Sequence, residues 1–165
     1  MPNQGSRFFA DEALGSVSSV VATLPAGAIL GEERTHAGVS YRLCFNAGTA
    51  QISQGLVASP VALVNCTIGS VAVSTLSNHG DHLGAVVAMN ATAPTANFFW
   101  GAFKGVVGGL QGETVSLPTG SLISVGNAGA VMIASVASSR IARGYVITTV
   151  SHGGTANGNA YVDFT

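Results

Sequence analysis

What this sequence has least of is charge. Only 8% of its 165 residues are Asp, Glu, Lys or Arg, against about 25% in an ordinary soluble domain. Ionised side chains are costly to desolvate, so charge keeps a surface wet and molecules apart. A chain that does without it is expected to hide surface against other protein, which favours a building block of an assembly over a free enzyme. Clustered cations are missing too. Arg7, Arg34, Arg42, Lys104, Arg140 and Arg143 are scattered, and the net charge is −1. Phosphate binding needs clustered Lys and Arg, so nucleic acid is not an expected partner. Long apolar runs are also absent. Mean hydropathy is +0.47, yet every apolar run is soon broken by Gly, Pro, Ser, Thr or Asn. A spanning helix needs roughly 20 apolar residues, so no membrane partner is expected. Met1–Ala10 has no basic stretch leading into an apolar one, and no secretory leader is read there.

Cysteine is scarce: Cys44 and Cys66 are too few for a disulfide scaffold. Both lie in apolar, strand-like runs, Tyr41-Arg42-Leu43-Cys44-Phe45 and Val64-Asn65-Cys66-Thr67-Ile68. They read as buried free thiols acting as small hydrophobes, with a disulfide as the alternative. No CxxC or HxxxH spacing accompanies them, so no metal site is expected.

What is abundant is glycine, 22 residues, in a chain that is 47% hydrophobic. From His36 onward, short runs of Val, Ile, Thr and aromatics alternate with Gly, Asn, Ser and Pro, the pattern of many short strands joined by tight turns. Strands are expected over 40–46, 56–58, 62–67, 71–76, 84–88, 97–107, 113–117, 122–125, 131–134, 145–150 and 161–164. A strand and turn every 10 residues or so predicts an all-β fold, a small antiparallel β-barrel or β-sandwich. Residues 1–36 differ. They hold six of the 13 charges and no helical period, and read as an extended N-terminal arm with a short helix or strand near Ser18–Thr23. The predicted organisation is an arm, 1–36, and a β domain, 37–165. Phe8, Phe9 and Leu14 are candidate anchors of the arm. Asn97–Gly105 is the densest aromatic run. Its Trp100, the only tryptophan, and Phe103 are expected in the core or at a subunit interface. Gly101 and Gly105 are expected to mark bulges or close strand approach.

Chemistry is hard to find in the sequence. His79 and His82 share a short loop with Asp81, but the spacing matches no compact metal motif. There is no G-x-S-x-G elbow, no paired-carboxylate pattern and no glycine-rich phosphate loop followed by Lys. The chain is therefore expected to be no enzyme and to carry no catalytic residue, cofactor or metal.

Some stretches have a familiar texture. Gly38–Gly48 and Gly55-Leu56-Val57 resemble the opening of a domain found in virion structural proteins of tailed bacteriophages. Gly84–Ala93 followed by Phe98–Gly105 resembles its central unit, an aromatic strand ending in a Lys-Gly turn. Leu117–Gly120, Gly126–Gly129 and Ala160–Phe164 are similar to its later hairpins and its end. The resemblance covers roughly residues 38–164 and leaves 1–36 uncovered. It implies a capsid decoration (cement) protein: a homotrimer on the outer surface of the virion, made in the bacterial cytoplasm. Its partner would be the major capsid protein, gripped through the N-terminal arm. The alternative is a tail, neck or head-surface module that binds a receptor or glycan.

Overall fold

Branched and aromatic side chains suit a pleated, half-buried surface, and the runs rich in them form strands. A computed structural model describes residues 20–21, 23–24, 27–47, 51–62, 67–71, 84–89, 92–93, 97–113, 116–126, 131–133, 142–151 and 158–165. In chain order the strands are β1 (Val20–Val21), β2 (Glu33–His36), β3 (Val39–Asn46), β4 (Ile52–Ser53), β5 (Val57–Ala62), β6 (Thr67–Val71), β7 (Val86–Ala88), β8 (Thr92–Ala93), β9 (Asn97–Leu110), β10 (Leu122–Val125), β11 (Val131–Ile133), β12 (Gly144–Thr148) and β13 (Gly158–Asp163). The all-β expectation holds.

Two expected strands differ. Of the strand expected over 113–117, residues 114–115 lie outside the described residues, and Leu117 makes an isolated antiparallel bridge to Val150 before Pro118 starts a turn that Ser121 N–H closes onto the Pro118 carbonyl. The break expected between 62–67 and 71–76 is occupied by β6. There, pairing with β5 overrides the turn propensity of Gly69-Ser70.

β9 organises the molecule. One of its edges pairs with β3. The other pairs with β13 along Lys104–Leu110, with β7 at Gly101–Ala102 and with β1 at Phe98–Phe99. From β7 the pairing runs through β5 and β6 to β3 and so back to β9. All these ladders are antiparallel except β3–β6. On the other side β13, β12, β10 and β11 follow in that order. β4 and β8 pair separately.

Burial explains the composition of β9. Phe99 to Phe103 are all buried, as in a strand covered on both faces, which reads as a continuous apolar run. Gly101 leaves the space: a Cβ there would stand 2.5 Å from the Val86 Cβ on β7. Gly105 has φ +115°, and a Cβ on it would stand 2.6 Å from the Gly38 carbonyl oxygen, beside the register shift between Ser40 and Tyr41. Both glycines thus mark close strand approach, as expected.

Within residues 1–36, the segment near Ser18–Thr23 forms strand β1. Glu33–His36 joins β3 in a hairpin whose two turn residues, Ala37 and Gly38, both have positive φ. That is the geometry of a type I′ turn, which matches strand twist. β2 ends the pairing order on one side and carries Glu33, Arg34 and His36. Charge on an edge strand discourages pairing with other chains. Arg42 on β3 ties this edge down. Its Nε donates to Glu33 Oε1 at 3.0 Å, its Nη1 donates to the Gly84 carbonyl at 3.2 Å, and its guanidinium lies 4.6 Å over the Phe103 ring.

The free-thiol reading of the cysteines is corrected. Cys44 is fully buried and disulfide-bonded; the only other cysteine of the chain is Cys66. Phe45 stands opposite Thr67 in the β3–β6 ladder, one residue beyond each cysteine in sequence. Two apolar runs that looked independent are strand neighbours.

Candidate interaction face

The strands β9, β13 and β12 have one face on the core and one in solvent, and β10 joins the solvent face at Leu122, beyond which Ile123 to Val125 are buried. In β13 the alternation is clean: Gly158, Ala160 and Val162 are buried, whereas Asn159, Tyr161 and Asp163 are not. Small residues point inward and the large ring outward, the reverse of a simple hydrophobic-inside strand. Register then aligns the outward residues. Val106 stands opposite Tyr161, Tyr161 opposite Tyr145, and Tyr145 opposite Leu122. The result is an apolar stripe across four strands, perpendicular to them. Its members stay open to solvent: Leu122 is 55% exposed, Val106 50% and Tyr145 47%. The Tyr145 and Tyr161 rings stack, with centroids 5.5 Å apart and planes 18° from parallel.

Two polar rows flank the stripe. On one side Lys104 pairs with Asp163 in register, and Nζ reaches Oδ2 at 3.0 Å. Arg143 continues this row, since its carbonyl accepts the Asp163 N–H at 2.8 Å and Gly144 beside it pairs with Val162. In register order the charged residues across β9, β13 and the residue preceding β12 are thus plus, minus, plus, with Asp163 paired to Lys104. On the other side stand Gly108, Asn159 and Thr148, where Thr148 Oγ1 accepts the Asn159 N–H at 2.9 Å. This row carries no charge.

The ion pair is electrostatically tuned. The Thr165 hydroxyl first, then its backbone N–H and Lys104, hold the Asp163 carboxyl below its ordinary value against the opposing effect of burial. The hydrogen bond and charge of Asp163 raise Lys104 above its own. Both groups keep their charge across the neutral range.

Of the residues singled out from sequence, Trp100 and Phe103 lie in the core, 2% and 5% exposed. Phe8, Phe9 and Leu14 lie outside the described residues, as do His79, Asp81 and His82. The stripe was not anticipated. Its signal was present in Asn159-Ala160-Tyr161-Val162-Asp163, where a tyrosine shares the period-two face of Asn and Asp. Which strands would lie beside it could not be read from local sequence. Among the described residues no group of three or more His, Cys, Asp or Glu is placed to hold a metal ion, and no helix is long and apolar enough to cross a membrane.

No family model matches the chain, and no curated protein matches it. Among solved structures it is similar to the head fiber gp8.5 N base of bacteriophage phi29, with a TM-score of 0.49 and 11% sequence identity over 77% of this chain and 96% of that one.

Proposed function

We propose that this chain is a capsid decoration (cement) protein of a tailed bacteriophage, a binding protein and not an enzyme. It would bind the outer surface of the assembled major capsid shell and stabilise it. The observation that carries the reading is a solvent-facing sheet surface with an apolar stripe, in a chain with only 13 charged residues. Contiguous exposed apolar surface marks an interaction site. The resemblance over residues 38–164 supplies the kind of partner. A clamp that binds only the assembled shell stabilises it by mass action, as any ligand of a native state does. In this reading residues 1–19, with Phe8, Phe9 and Leu14, supply an arm that grips the shell, and the working unit is a homotrimer.

The arm is tested by removing residues 1–19. Cutting farther, to residue 24, would also remove β1 from β9 and mix a folding defect into the result. The reading as a whole is tested by antibody labelling of purified particles under the electron microscope. Regular label over the head is the expected result. Label confined to the tail, or no label, overturns it. The glycan-binding alternative gains little from the stacked tyrosines, because each ring already spends one face on the other. A glycan array is expected to be blank.

A further inference from the structure

We propose that the striped face is a two-fold self-docking surface whose occupant is a second copy of this chain. The order of residues across the sheet carries the argument. From β9 to β10 the apolar row reads Val106, Tyr161, Tyr145, Leu122, and the charged row beside it reads Lys104, Asp163, Arg143. Consider two copies face to face, related by a two-fold axis that runs along the strands between β13 and β12. The axis reverses the strand order of the second copy. Tyr161 then meets Tyr145 of the other copy, and Val106 meets Leu122. In the charged row, Asp163 meets Arg143 of the other copy, and Arg143 meets Asp163. Apolar meets apolar, and each of these two charges meets its opposite. A two-fold contact needs a surface complementary to itself, and both rows meet that condition about the same axis.

The other features agree. Two sheets pack face to face about 10 Å apart with strands nearly aligned, and this is the face of the sheet that is not on the core. The stripe offers on the order of 300 Å² of apolar surface per copy, enough for the centre of a contact but short of the roughly 800 Å² a stable partner covers. The ion-pair row and the Asn159–Thr148 row make up the rim, as in interfaces generally. A net charge of −1 brings little long-range repulsion between copies. The inference stands on this geometry and gives the stripe to a second copy, so that contact with the shell and any three-fold assembly would use the arm and other surfaces.

The test is the mass of the isolated full-length chain by light scattering and sedimentation across micromolar concentrations. The two-fold contact is expected to double the mass of the unit that the other surfaces form, giving a dimer from a monomer or a hexamer from a trimer. Asp163→Arg and Arg143→Asp each set like charges opposite one another and are expected to weaken dimerisation about tenfold or more. The double swap restores opposite charges between copies and is expected to recover most of the loss. Leu122→Asp, at an exposed position that the fold does not need, is expected to give the undoubled species with a cooperative melt that no longer depends on the self-contact. A wild-type monomer overturns the proposal even if it still labels phage heads. So does a dimer or trimer whose mass the substitutions leave unchanged, or a double swap no better than its worse single. Dimerisation with no head labelling would overturn the capsid reading alone.

Discussion

Gly105→Ala tests whether close approach around β9 limits the sequence. Two costs are expected. The residue has φ +115°, where an L side chain is strained, and its Cβ would stand 2.6 Å from the Gly38 carbonyl oxygen and 2.9 Å from the Val39 Cα. Both neighbours are backbone in the β2–β3 hairpin, so relief requires moving a strand. Gly38 is the internal control. Its φ is +78° and nothing lies within 4 Å of its Cβ position, so Gly38→Ala carries strain without collision. Strain of this kind costs about 1–2 kcal/mol, offset by about 0.4–1 kcal/mol from the stiffer unfolded chain. The collision adds about 1–3 kcal/mol, as overpacking does. Gly38→Ala should therefore cost about 1 kcal/mol and Gly105→Ala about 2–4 kcal/mol, from a total stability on the order of 10 kcal/mol. Trp100, the only tryptophan and 2% exposed, reports unfolding by fluorescence in urea. The two variants should share one m-value and melt about 5 °C apart. Equal costs, or a neutral Gly105→Ala, would refute the argument that backbone contact fixes this glycine.

Two further perturbations probe covalent and ionic restraints. Cys44→Ser should lower stability by about 3 kcal/mol, the loop-closure value for a bridge spanning about 20 residues to Cys66; a thiol titration that finds two free thiols in the native chain would contradict it. The Asp163 carboxyl is held low, so its stabilisation is present above the unfolded carboxylate value and is lost as pH falls through the folded one. Lys104 is held high, so its part persists below the unfolded amine value and fades as pH rises through the folded one. Asp163→Asn should flatten both limbs of a stability–pH curve, and unchanged limbs would show that the pair does not couple to folding.

The strands were legible where local chemistry and packing agreed. Leu122–Val125 is bounded by turn residues and forms β10 over those same four residues. The aromatic run at 97–107 extends to Leu110 as β9, because Val107 and Leu110 are buried against the core. Legibility failed where a distant partner decided the outcome. Gly69-Ser70 has turn chemistry, yet β5 captures it as strand β6. Cys44 looked like one more buried hydrophobe until β6 was placed beside β3. The interaction face was the least legible element. Each of Val106, Leu122, Tyr145 and Tyr161 is unremarkable in its own segment. They become a stripe only because β13 inserts between β9 and β12, an order that reverses the sequence and follows from pairing alone.

The scarcity of charge gains meaning from where the charges stand. Eight of the 13 charged residues are described, and seven of them fall into two groups. Glu32, Glu33, Arg34 and Arg42 cluster at the β2 edge, with Arg34 paired to Glu32 and Arg42 to Glu33. Lys104, Asp163 and Arg143 line the apolar stripe. Solvent-facing ion pairs contribute little to stability, so apart from Arg42, which ties β2 down, neither group is explained as reinforcement of the fold. Their positions suit control of contact. The first group sits on an open strand edge, where charge deters unwanted pairing. The second borders an apolar surface, where alternating signs admit a partner of opposite pattern and reject one of like pattern. Neutralising the first group, as in Glu33→Gln with Arg34→Gln, is expected to promote aggregation without altering the dimer. Swapping charges in the second is expected to alter the dimer without promoting aggregation. Sedimentation separates the two outcomes, and a swap that merely aggregates the chain would place both groups in the general service of solubility.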